Sequence, residues 1–220
     1  MTKTYRTGAV EVHALRGIDL EIQSGEMTMV MGPSGHGKTT LLNCLSGLDD
    51  IDDGTVWIGD HNVHGSSDRT RTRFRAQQMG FVFQSFNLIG VLSAVENVEI
   101  PLLVTGRSSR EARRLAGEMM GRVGLGERLQ NRPNELSGGE QQRVAIARAL
   151  VTEPAIIWAD EPTGNLDSST AGSILELLLE VHGQGQTLVI VTHDSDIAAT
   201  GTRIVHIEDG LVAANEPVQR

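Results

Sequence analysis

Apolar residues along the chain fall into short runs bounded by glycine and polar turns, and the spacing inside each run separates strands from helices. Ile18, Leu20 and Ile22 alternate with polar residues, which predicts a half-buried strand, and Ser24-Gly25 supplies its turn. Met27–Met31 is a short, largely apolar run leading straight into a glycine-rich loop, so a strand, a loop and a helix are expected in that order. Further apolar runs at 81–83, 155–159 and 188–191 read as buried strands, separated by helical spacing such as that of 174–181. The alternation predicts an α/β sheet protein. Near the end, 203–208, Asp209-Gly210 and 211–214 predict a β-hairpin with an Asp-Gly turn, followed by a polar tail.

The pattern changes between 85 and 132. Ser93 with Glu96 and Ser108 with Glu111 are two capping boxes, each opening a helical stretch with no strand between them. A mainly helical lobe, 85–132, is therefore expected as an insertion into a single domain whose core is 1–84 and 133–220. A third capping box, Ser137 with Glu140, opens a helix carrying Val144, Ile146, Ala147 and Leu150. Gly138 and Gly139 leave its first-turn amides without side-chain cover, so these amides and the positive end of the helix dipole can face an anion. Taken alone, the same residues would serve an ordinary capped surface helix.

Composition narrows the classes. The 220 residues are 39% hydrophobic, enough for a globular core. No apolar run approaches the roughly 18 residues that span a bilayer, and Met1-Thr2-Lys3-Thr4-Tyr5 lacks the apolar stretch of a signal peptide, so a cytosolic chain is expected. The single Cys44, among Leu41, Leu42 and Leu45, reads as a small core residue. A net charge of -9 argues against general nucleic-acid binding; Arg69, Arg71, Arg73 and Arg75 form only a local basic run, read as a solvated helix face or a contact with an acidic partner.

The chemistry lies at the strand ends. Gly32-Pro33-Ser34-Gly35-His36-Gly37-Lys38-Thr39 fits G-x-x-x-x-G-K-[ST] between a buried strand and a helix, the setting of a phosphate loop. Its glycines let backbone amides close around a β-phosphate, Lys38 reaches the β- and γ-oxygens, and the Thr39 hydroxyl can ligate Mg²⁺. His36 fills a free position, read as contributing backbone with its side chain near the rim. The run 155–159 ends in Asp160-Glu161, where Asp160 can bind Mg²⁺, usually through water, and Glu161 can orient or deprotonate an attacking water. Thr192-His193-Asp194 ends the next strand and brings His193 within reach of a γ-phosphate.

The phosphate loop, Gln84 after a strand, Leu136-Ser137-Gly138-Gly139-Glu140-Gln141-Gln142-Arg143, Asp160-Glu161, Asn165-Leu166-Asp167 and His193 occur in this order in ATP-binding cassette (ABC) transporter ATPases, which the chain resembles along nearly its whole length. The resemblance implies a phosphate-loop NTPase core with a small antiparallel β-subdomain and an inserted α-helical lobe. It implies ATP and Mg²⁺ as cofactors and two copies packed head to tail. Each would hold ATP between its own Gly32, Pro33, Ser34, Gly35, His36, Gly37, Lys38, Thr39 and Thr40 and its partner's Ser137, Gly138, Gly139 and Glu140. By position, Tyr5 would stack on adenine, Gln84 would bind Mg²⁺ and sense a membrane permease, Asn165 and Asp167 would couple the two sites, and Lys38, Glu161 and His193 would be catalytic. The subunit would then sit on the inner face of the cell membrane, held by its permease. Val10-Glu11-Val12, the segment from Leu92 to Pro101 and Ala159 to Asp167 resemble the lipoprotein-release and macrolide-export group. Two other outputs fit the same motifs: a cell-division type complex that signals instead of transporting, and a chromosome- or repair-type ATPase, whose long coiled-coil insertion this chain has no room for. Relatives carry a strand ahead of the adenine-stacking tyrosine, and with four residues before Tyr5 the edge of the β-subdomain is expected to be incomplete.

Overall fold

The structure, a computed structural model, describes residues 1–8 and 10–218. An antiparallel hairpin of β1 (Thr2–Thr7) and β2 (Val10–Arg16) leads to β3 (Met27–Met31), α1 (Lys38–Leu45), a small ladder of β4 (Trp57–Ile58) and β5 (His61–Asn62), α2 (Asp68–Gln78) and β6 (Met79–Phe83). The helices α3 (Ala94–Val104), α4 (Ser109–Arg122) and α5 (Gly138–Leu150) follow, then β7 (Ile156–Asp160), α6 (Ser168–Gly183), β8 (Thr187–Val191), the single turn α7 (Ser195–Ala198), β9 (Arg203–Glu208) and β10 (Leu211–Pro217).

Six strands form the main sheet in the order β10-β9-β3-β8-β7-β6, parallel except for β10. One row of the register crosses it at the carboxyl ends: Phe83 pairs with Asp160, Asp160 with Val191, and Val191 with Val30. The residues just past this row, Gln84, Glu161, Thr192 and the loop after Met31, are thus delivered to one edge, where ligands gather in open α/β sheets.

Period-2 alternation sends successive side chains to opposite faces. Ile157, Ala159, Leu188 and Ile190 join the core beneath α3 to α6, while Ile156, Trp158, Val189 and Val191 join Leu41, Leu42 and Cys44 beneath α1. Cys44 is buried as expected, and burial pushes its thiol up to about 11.

Two expectations are corrected. The alternation at Ile18, Leu20 and Ile22 appears in burial but not as a ladder, because this segment pairs only at its head, where the Ile18 amide donates to the Met1 carbonyl at 2.9 Å and the Met1 terminal ammonium donates to the Ile18 carbonyl at 2.7 Å. Such a pattern records which side meets the core, not whether a partner strand lies alongside. The strand expected ahead of the adenine-stacking tyrosine instead contains it: Tyr5 lies inside β1, opposite Val12 of β2. The arginine run divides by helix geometry, since positions two apart point roughly 200° apart. Arg71 pairs with Asp50 and Asp68 at 2.5 and 2.8 Å and Arg75 reaches the Gly47 carbonyl, whereas Arg69 and Arg73 are exposed.

Candidate nucleotide site

The loop after β3 is gripped from two sides. A Cβ on Gly32 would lie 2.0 Å from the Ile207 carbonyl oxygen of β9, and one on Gly37 would lie 2.5 Å from that of Ala14 on β2; both glycines also have positive φ, 145° and 97°. Only glycine fits positions where a neighbouring backbone comes this close. Lys38 is buried, its ammonium donating to the Pro33 carbonyl at 2.9 Å. Pro33, Ser34, Gly35 and Thr39 are exposed and His36, Gly37 and Thr40 half-buried. His36 turns away from solvent: its Nδ1 lies 3.0 Å from the Asp209 amide in the β9–β10 turn.

Thr39 donates its hydroxyl to both Asp160 carboxylate oxygens, at 3.2 and 3.1 Å. Burial raises the Asp160 pKa; the Thr39 hydrogen bond pulls it down and the Glu161 charge pushes it further up, leaving it above the ordinary value. A divalent cation here would offset that desolvation. Hard oxygen donors from one hydroxyl and one carboxylate suit Mg²⁺, which keeps waters and phosphate oxygens in its shell, and among the described residues no cluster of three or more His, Cys, Asp or Glu offers a closed metal cage.

Glu161 follows β7 with φ 48°, unusual for a non-glycine residue, its amide bonded to the Val191 carbonyl at 2.9 Å. That backbone turn aims its carboxylate at β8's end, where His193 Nδ1 lies 2.8 and 2.7 Å from the two oxygens. The imidazole expected to face a γ-phosphate is thus paired with the acid, its side chain 72% exposed.

Gln84 and Asn165 grip each other: the Gln84 carboxamide donates to Asn165 Oδ1 at 3.2 Å, and Asn165 Nδ2 donates to the Gln84 carbonyl at 3.0 Å. The next turn places Phe86 and Asn87 at φ 62° and 49°, and Arg148 of α5 donates to both their carbonyls, at 2.9 and 2.5 Å. Arg148 and the fully buried Gln142, which donates to the Pro162 carbonyl beside Glu161, were not singled out from sequence. The available signal was a polar residue on the apolar face of α5.

The capping box at Ser137 forms in both directions, Glu140 amide to Ser137 hydroxyl at 3.3 Å and Ser137 amide to Glu140 carboxylate at 2.9 Å. The Ser137 amide holds the Glu140 carboxyl below its usual pKa, with help from Arg128 at 3.1 Å. Among the described residues the Gly138 and Gly139 amides have no acceptor. None of Ser137 to Glu140 bonds to the phosphate loop, Asp160, Glu161 or His193 of the same chain. The contact of this segment is with the start of α6: a Cβ on Gly139 would meet the Thr170 methyl at 2.4 Å. Thr170 in turn donates its hydroxyl to Asp167, the N-cap of α6, which also accepts the Ser169 hydroxyl and both amides. The Ser169 and Thr170 bonds hold the Asp167 carboxyl well below the usual range.

Tyr5 stands apart on β1, 38% exposed, with its hydroxyl donating to Asp49 at 2.6 Å and the Lys3 ammonium 5.0 Å from its ring centroid. One ring edge is thereby tethered while part of the ring stays open to stacking.

A family model described as "ABC transporter" matches residues 15–164. The lipoprotein-releasing system ATP-binding protein LolD of Alcanivorax borkumensis is 45% identical over 96% of this chain and 93% of its own length. The macrolide export ATP-binding/permease protein MacB of Hyphomonas neptunium is 43% identical over 98% of this chain, which spans 33% of that protein. Among solved structures, the dimeric post-hydrolysis state of the ATP-binding cassette MJ0796 bound to ADP and Pi superposes with a TM-score of 0.91 at 45% identity, covering 100% of this chain and 97% of that one.

Proposed function

Because the chain belongs to the ABC transporter family, as an ATP-binding and ATP-hydrolysing subunit, we propose that two copies close head to tail around two MgATP, each nucleotide lying between one copy's phosphate loop and the other's Ser137, Gly138 and Gly139. The observation that carries this reading is the pair of amides at Gly138 and Gly139, which have no acceptor among the described residues, at a helix start that makes no bond to the chain's own phosphate loop.

In that closed state the loop amides and Lys38 hold the β- and γ-phosphates, Tyr5 stacks on adenine, and the second copy's helix start meets the γ-phosphate. Thr39 and Asp160, with Gln84 completing the set, would hold Mg²⁺, which would supply positive charge to the phosphate oxygens when bound. Glu161 takes a proton from the attacking water, and its carboxylate is oriented by His193, whose other ring nitrogen is left to face the γ-phosphate. Asn165 and Asp167 link each site to the other: Asn165 through Gln84, Asp167 through Thr170 beneath Gly139.

The motion is passed to a membrane permease of the lipoprotein-release or macrolide-export type. No helix among the described residues is long and apolar enough to cross a membrane. In the proposed complex the permease holds this subunit at the inner face of the cell membrane. A groove of about 390 Å³ lined by Leu48, Met79, Phe81, Phe83, Pro101 and Val104 includes Phe83, the residue before Gln84, and is proposed to receive a permease segment; Arg148 lines it while holding the Phe86 and Asn87 carbonyls. The experiment is Glu161→Gln. Retained ATP binding, abolished turnover and an accumulating ATP-bound dimer are expected; normal hydrolysis would remove Glu161 from its role.

A further inference from the structure

His36 occupies one of the phosphate-loop positions that the motif leaves free, yet both its side chain and its backbone carbonyl are bonded to another part of the chain. The β9–β10 turn places Asp209 at φ 48° and Gly210 at φ 75°, a conformation that presents two successive amides on one side. The Asp209 amide donates to His36 Nδ1 at 3.0 Å, and the Gly210 amide donates to the His36 carbonyl at 3.3 Å. The same turn is anchored behind, where the Gly210 carbonyl accepts the Arg16 amide at 2.8 Å and a Cβ on Gly210 would lie 2.6 Å from the Ala14 carbonyl oxygen. It therefore forms a wedge between β2 and the phosphate loop.

Two consequences follow from bonding chemistry. A backbone amide can only donate, so Nδ1 must present its lone pair and the ring proton sits on Nε2. In a trans peptide the carbonyl and the next residue's N–H point to opposite sides. Holding the His36 carbonyl outward thus holds the Gly37 N–H inward, toward the space the loop encloses. We propose that His36 is a nucleotide-positioning residue: it locks the phosphate loop to the Asp209-Gly210 turn and so sets the direction of the Gly37 amide that meets the phosphates. The proposal rests on ATP binding at this loop. It makes the hairpin at the end of the chain part of the nucleotide site without touching the nucleotide.

The test measures ATP dissociation constant, KM and kcat for the full chain and four variants, with Tm as a check of folding. His36→Ala removes one neutral hydrogen bond and is expected to raise the ATP dissociation constant and KM about three- to tenfold, with kcat changed less than about twofold. In His36→Asn the side-chain oxygen lies near the place of Nδ1 and is expected to restore binding to within about twofold of wild type. His36→Gln reaches instead toward the place of Nε2 and is expected to resemble His36→Ala. Asp209→Asn keeps the donating amide and is expected to leave binding unchanged, although the Asp209 carboxylate lies 3.4 Å from Nδ1. The Asn and Gln variants keep the comparison readable if the alanine variant unfolds. Equal binding by His36→Ala and wild type, failure of Asn to restore it, or a loss in Asp209→Asn that matches His36→Ala would each overturn the proposal. A wild-type chain that bound no ATP would overturn the underlying reading as well, so the two failures are distinguishable.

Discussion

The two segments proposed to bind phosphate are built in opposite ways. The phosphate loop is over-determined: β2 and β9 press on its glycines, the β9–β10 turn bonds to His36, Lys38 is buried against Pro33, and Thr39 is bonded to Asp160. The segment at Ser137 to Glu140 is held by its own helix cap, by Arg128 and by close packing of its glycines on Thr170 and Leu166, and among the described residues its glycine amides are left without acceptors. The first is a finished cradle. The second is a finished surface whose glycine amides meet no acceptor among the described residues, and the proposed head-to-tail pairing of two copies would give each the partner it lacks.

Four substitutions separate the two halves, from the largest expected effect to the smallest. Glu161→Gln keeps the shape and removes the base, so turnover should fall by about 10²–10⁴-fold while ATP binding persists; rapid-mixing phosphate release measures it, and a smaller loss would break the assignment on the cradle side. Ser137→Arg places bulk and charge on the opposite half. It should cut turnover by about 10²-fold, yet leave nucleotide binding by the isolated chain within about threefold of wild type in equilibrium titration. A matching loss of binding would mean that both halves serve one nucleotide within a single chain. Arg148→Ala leaves the Phe86 and Asn87 carbonyls without their donor and should cost about 1–3 kcal/mol in chemical denaturation, since it supports the turn after Gln84. The last prediction concerns acid.

The Glu140 carboxyl is held below its ordinary pKa by the Ser137 amide. With the folded-state pKa the lower one, its stabilisation is present above the unfolded value of about 4.3 and is lost as pH falls through the folded value. Denaturation curves of wild type and Glu140→Gln should therefore converge as pH falls below about 4. A gap that stays constant as pH falls from neutral until the protein unfolds in acid would show that the cap carries no ionic component.

What the sequence revealed about these two halves follows from how local each one is. The phosphate loop and the capping boxes at Ser93 and Ser137 are recognisable because their residues bond within a few positions of each other, whereas the box expected at Ser108 forms only by half, the Glu111 amide donating to the Ser108 hydroxyl while the Glu111 carboxylate pairs with Arg107. The buried strands are recognisable because uninterrupted apolar runs have few other uses. Long-range pairing left no such mark. Nothing in the spacing of His36 and Asp209, Gln142 and Pro162 or Arg148 and Phe86 announces a contact, and the alternation at Ile18, Leu20 and Ile22 is the same whether or not a neighbouring strand exists. Tyr5 illustrates the reverse case: its strand is present, but short polar stretches such as Thr2–Thr7 have no apolar period and become strands only because β2 lies alongside. The divided arginine run shows the same limit, with Arg71 and Arg75 held by Asp50 and Gly47 from another part of the chain.

The central claim is that one copy holds only half of each catalytic site. Turnover per chain, measured for the isolated wild-type protein across a dilution series in which sedimentation reports the monomer and dimer populations, tests it directly. Turnover per chain that rises with concentration and levels off as ATP-bound dimers become the main species is the predicted result. Turnover per chain that stays flat down to concentrations where only monomers sediment would contradict it.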